Sequence, residues 1–145
     1  MTRFYAIDEA NAALPEVERI LTALRDQREE LIQLRDRVLE ATPDDGETPT
    51  TGAAEQIRLL RLGMQGLIDQ MQAGVARLVE MDITLRDIST GLIDFPALVA
   101  GRPIWLCWRL GEADVANWHA HDQGFDSRQP LSELPTGRSS GTPAA

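Results

Sequence analysis

Apolar residues in the first part of the chain recur in steps of three and four: Ala10, Leu14, Val17, Leu21, Leu24 and Leu31, then Leu34 and Val38. That spacing puts them on one face of a helix, predicted over 8–41. Pro15 lacks a backbone donor and crowds the carbonyl of Asn11, which predicts a first-turn position or a kink. A second stripe, Ile57, Leu60, Met64, Leu67, Met71, Gly74, Leu78 and Met81, is unbroken and predicts a helix over 53–82. Ile68, Val75 and Val79 widen it, and a stripe that wide implies more than one packing partner. Gly63, Gly66 and Gly74 each cost up to ~1 kcal/mol against Ala inside a helix, which points to close approach by a neighbouring backbone or, alternatively, to local flexibility. Between the stripes, "TPDDGETPTTG" at 42–52 is rich in Pro, Gly, Asp and Thr and reads as a solvated loop. The two helices are therefore expected to fold back as an antiparallel, coiled-coil-like hairpin, each arm ~45 Å long.

After Asp82 the period changes. Ile83 to Ile88 alternates loosely, "STG" at 89–91 is a turn, and Leu92 to Phe95 is short, with Pro96 expected to stop it. Ile104 to Leu110 has the strongest strand composition. A meander over 83–110 follows, with Arg3 to Ile7 as a further edge strand and a short helix or loop over 111–131. The expected fold is α+β, mainly α: one domain over 1–131 with a small antiparallel β-sheet of two to four strands. Ser, Gly and Pro predict a disordered tail over 132–145.

Charge narrows the function classes. Over 145 residues the net charge is −9, against nucleic acid and against an anionic membrane surface as partners. All 14 basic residues are Arg, from biased codon usage or from a preference for bidentate contacts with carboxylates. One Cys forms no internal disulfide, residues 1–7 lack a signal-peptide stretch, and no apolar run nears the ~20 residues of a membrane span. A cytoplasmic protein is expected.

The stretch "CWRLGEADVANWHAHD", Cys107 to Asp122, concentrates the chemistry. Strand alternation puts Ile104, Leu106, Trp108 and Leu110 on one face and Trp105, Cys107 and Arg109 on the other. Arg109 then calls for a carboxylate, with Asp87 and Asp94 as candidates, or for a bound anion; Arg128 would bring a second cation. Glu112 is placed to cap a short helix over 113–121, where Val115 and His119 would share its face. Glu112 and His119 are the candidates for acid–base catalysis, and Arg109, Arg128, Asp94, Asp87 and Trp118 for ligand contact. His119, His121 and Glu112 are the candidate ligands for a divalent metal, although their spacing matches no established signature. Cys107, mid-strand, reads as a buried and inert thiol.

The runs "EANAALPEV" at Glu9–Val17, "GLIDFPA" at Gly91–Ala97, "LCWRLGE" at Leu106–Glu112, "WH" at Trp118–His119 and "GFDSRQPL" at Gly124–Leu131 resemble, in order, a prokaryotic family of unknown function, DUF2203. The resemblance covers residues 4–131. It implies a helical hairpin with a small β element and supplies no activity or catalytic residues. Asp87, Asp94, Arg109, Glu112, Trp118, His119, Gly124 and Arg128 match its recurring positions. Where that family often carries Thr three residues before Glu, this chain has Ala6 before Glu9, so the capping box is absent or Asp8 caps the helix. Two functions follow as expectations: a homo-oligomeric (dimeric) hairpin interaction protein, or a small-anion or metal site, hydrolytic or acid–base catalytic, built on Arg109, Glu112, His119 and Arg128.

Overall fold

A computed structural model describes residues 3–134. Helix α1 runs Ile7–Ala41 and α2 runs Thr51–Glu80, packed as the expected hairpin. The sheet has five strands rather than two to four: β1 Thr84–Asp87, β2 Leu92–Val99, β3 Arg102–Arg109, β4 Asn117–Ala120 and β5 Gln129–Pro130. They pair antiparallel in chain order. The two extra strands come from the region expected to be helix or loop. In place of a helix over 113–121, Asn117–Ala120 pairs with Ile104–Cys107. The tail predicted from 132 begins inside a 3-10 turn, Leu131–Glu133, and from 135 on it lies outside the described residues.

The core lies between one face of the sheet and the lower half of the hairpin. Leu14, Val17, Leu21 and Leu24 of α1, and Leu78 of α2, meet Ile93, Phe95, Ile104, Leu106 and Trp108. Two of the three helix glycines are at close approaches. A methyl at Gly74 would lie 3.2 Å from Leu24, and one at Gly63 would lie 3.3 Å from Leu34, whereas Gly66 meets nothing. Pro15 sits well inside α1, not in its first turn.

Pro96 does not end β2. Its carbonyl faces away from β3 and accepts from Tyr5 N at 2.7 Å, so its missing N–H also points to the side where β1, paired only as far as Asp94, has run out. The expected edge strand over 3–7 is reduced to that one bond. Tyr5 is nevertheless buried; it donates to Met81 O at 2.6 Å and meets Phe95 edge to face. Gly91 turns the chain between β1 and β2 with φ +68, and a Cβ there would lie 2.6 Å from that of Leu110, so the position requires glycine.

The start of α1 carries half a capping box. Glu9 Oε1 accepts from Ala6 N at 2.8 Å, but Ala6, the N-cap, has no side-chain acceptor to return the bond. Asp8 accepts from Glu9 N instead of capping from outside. Ala6 has extended backbone (φ −75, ψ 160) and is exposed, so Ala6→Ser is expected to raise stability by ~1 kcal/mol, read as a higher urea midpoint at unchanged slope.

Candidate functional site

The sheet face turned away from the helices is built from alternate positions of β2, β3 and β4. Asp94 stands opposite Cys107, and Cys107 opposite Asn117; one step along, Pro96, Trp105 and His119 align. Asp94 and His119 thus lie diagonally across β3, and both are buried, at 2% and 1% exposure. His119 Nε2 donates to both Asp94 oxygens, at 3.1 and 3.0 Å, while Nδ1 faces the Ala120 carbonyl at 3.1 Å. Arg86, at a bulge in β1, donates through Nε to Asp94 Oδ2 at 2.7 Å. Above this buried pair its guanidinium lies over Trp105 at 4.9 Å, and Trp105 stacks on the exposed His121 at 4.7 Å with 9° between planes.

A second cluster closes the β3 end. Gly111 turns the chain at φ 105, and Glu112 comes back along the strand. Its Oε1 accepts from Arg109 N and from Arg128 Nη2, both at 3.0 Å, and its Oε2 meets Arg128 Nη1 at 3.0 Å. Glu112 therefore closes the strand end and chelates one guanidinium instead of capping a helix. Burial pushes its carboxyl up. The hydrogen bonds from Arg128 and Arg109 N, with the two Arg charges, outweigh that and hold it below the usual glutamate range. Phe125 lies between the two arginines, 4.3 Å from the Arg128 guanidinium and 5.6 Å from that of Arg109.

The structure thus brings Asp94 to His119, and Glu112 to Arg128, as two separate pairs. Asp94 takes Arg86 and His119, not Arg109. Asp87 is held by Ser89 and Thr90, accepting from both hydroxyls and from Thr90 N, and so closes the β1–β2 turn. Those bonds hold its carboxyl below the ordinary aspartate value. Trp118 is buried on the helix side of the sheet, opposite His119, and its indole N–H finds no partner among the described residues. Arg109 is exposed and, among the described residues, has no carboxylate within ion-pair distance. Among the same residues no three His, Cys, Asp or Glu side chains cluster as a metal would require, and His121 is occupied by Trp105. Arg86 escaped the sequence reading, whereas Phe125 belongs to the run after Asp122 that continues the polar cluster. The available signal for Arg86 was period-two alternation, which puts it across the sheet from Leu85.

In this arrangement the Glu112 carboxylate and both ring nitrogens of His119 are already engaged. A carboxylate held ionised by a bidentate Arg carries protons poorly near neutral pH, and the imidazole Nε2 is already bonded to Asp94. Cys107 is fully buried, and burial, despite neighbouring Arg128, pushes its thiol up to about 11. Folded protein is expected to resist iodoacetamide at pH 8 and to label stoichiometrically once unfolded, measured by intact mass.

The chain belongs to the family described as "Uncharacterized conserved protein (DUF2203)", whose model matches residues 3–131. Neither the curated proteins nor the solved structures contain a match to it. No helix among the described residues is long and apolar enough to cross a membrane.

Proposed function

We propose that this protein is a self-associating helical-hairpin module, in which the sheet braces the base of the hairpin and its upper arms bind a second copy. The observation that carries this reading is the state of the arms. No residue of α1 beyond Leu24 is buried, and in α2 before Ile68 only Leu60 and Leu67 are. Yet the arms carry Leu31, Ile32, Leu34, Val38, Ile57 and Met64, all half-buried, and Leu39, Leu59 and Leu62 at 65%, 54% and 57% exposure. Two helices alone cannot enclose that much apolar surface; four can. A groove of ≈ 440 Å³ lined by Leu31, Ile68, Met71 and Val75 marks the open side. The polar layer on the far face of the sheet supports the same reading, because its buried Asp94 and His119 are paired with each other.

Size-exclusion chromatography with light scattering tests it. The wild type is expected to elute as a dimer at micromolar concentration, and Ile68→Asp as a folded monomer. A monomeric wild type at that concentration overturns the proposal. A second reading, capture of a small anion, is favoured by Arg109, an exposed cation beside the Glu112–Arg128 pair that, among the described residues, has no carboxylate within ion-pair distance. Titration with phosphate, followed by the chemical shifts of Arg109 and Phe125, addresses it separately.

A further inference from the structure

Taking self-association through the arms as the starting point, we infer that the two copies pair antiparallel about an axis beside Ile68, so that the tip of each hairpin covers the base of its partner. Ile57, Ile68 and Val79 are spaced by eleven residues, about three helical turns, and so form a straight line along α2. Ile68 is midway. The half-buried Met64, Met71 and Val75 flank this line, and Val79 is 65% exposed. A two-fold axis beside Ile68 therefore sets Ile57 of one copy against Val79 of the other and Ile68 against its own counterpart.

The trough itself favours this direction. The groove beside Ile68 shares Val75 with a second groove of ≈ 470 Å³, which runs down past Val79 and Ile83 to Leu85, Pro96 and Trp105. The apolar surface thus extends from the hairpin onto the sheet. In a parallel pair the two bulky sheets would face each other there. In an antiparallel pair the slim far end of the partner's hairpin arrives instead.

Charge points the same way. The tip, 42–50, carries Asp44, Asp45 and Glu47 and no basic residue. Parallel pairing would set two such tips together. Antiparallel pairing separates the tips and brings each toward a base that offers Arg86, 41% exposed on its side chain beside Trp105, along with Asp82 in the groove wall. The line from Ile57 to Val79 is ~33 Å long at 1.5 Å per residue, and two helices ~10 Å across make a patch on the order of 700 Å². That is close to the ~800 Å² per partner of a stable interface, before the tip contact is added.

Disulfide trapping tests the direction apart from the association. Ile57→Cys and Val79→Cys are made singly, with buried Cys107 left in place, and oxidised alone or after co-expression; light scattering is run on the same samples. Cross-linked dimer only in the co-expressed pool is the expected result. Cross-linking of either variant alone would show parallel pairing and overturn the inference. A dimer that cross-links in no pool would also overturn it, while leaving self-association standing. A monomer in every sample would remove self-association itself, and this inference with it.

Discussion

Asp94→Ala is expected to destabilise the fold by about 3–5 kcal/mol, because it removes one member of a buried charge cluster and leaves the others facing nothing. The carboxylate is 2% exposed, receives Nε2 of His119 on both oxygens and Arg86 on one, and lies in the middle strand triplet of the sheet. For a chain of this size that loss lowers the melting temperature by roughly 10–16 °C. The contributions are unequal. Arg86 is 41% exposed on its side chain, so solvent screens its bond and Arg86→Ala is expected to cost at most ~1 kcal/mol. His119 is enclosed, and a double-mutant cycle between Asp94 and His119 should show strong coupling. An Asp94→Ala protein within ~1 kcal/mol of wild type in urea unfolding would contradict a fastening role for the cluster.

The cluster also shows where sequence reading reaches its limit. That Asp94 would need partners follows from its place in an apolar strand flanked by Ile93 and Phe95. Which partners it finds does not. Arg86 is reached through a bulge in β1, and His119 through a strand that exists only because β3 is beside it. Residues 112–121 present Glu112, Val115 and His119 at helical spacing, so the local pattern favoured a helix. Non-local pairing with Ile104–Cys107 overrode it and produced a strand. Pro96 misled for the same reason: a proline stops a strand only if its N–H is needed, and whether it is needed depends on a neighbour far along the chain. The helices were legible because a stripe such as Leu60, Leu67 and Leu78 is a local property, and so was the division of β3 into faces. Their ends were less so. Observed α2 begins at Thr51, with Thr50 accepting from Ala53 N, and it stops at Glu80, before Asp82 turns left-handed at φ 58.

Trp108 links the core to the second polar cluster, and its replacement should expose that link. The ring is 1% exposed in the main core, and its Nε1 donates to the Glu112 carbonyl at 3.1 Å. Trp108→Ala is expected to cost about 3–5 kcal/mol through the cavity it opens. Trp108→Phe is the more informative change. It keeps most of the apolar contact but leaves the Glu112 carbonyl without its donor, at a cost of ~1–3 kcal/mol. The Glu112 main chain is then free to shift, and its carboxylate with it, away from Arg109 N and Arg128. Because the folded protein holds Glu112 below its ordinary value, the ion pair adds stability above that value and loses it as pH falls through the lower, folded one. In Trp108→Phe the carboxyl should titrate closer to its ordinary value, so this part of the stability is smaller at neutral pH and disappears over a narrower acid range. Carboxyl-carbon NMR of Glu112 across pH 2–6 measures this directly. An unchanged titration in Trp108→Phe would mean that Arg128 alone holds the carboxylate and that the indole bond serves only the core.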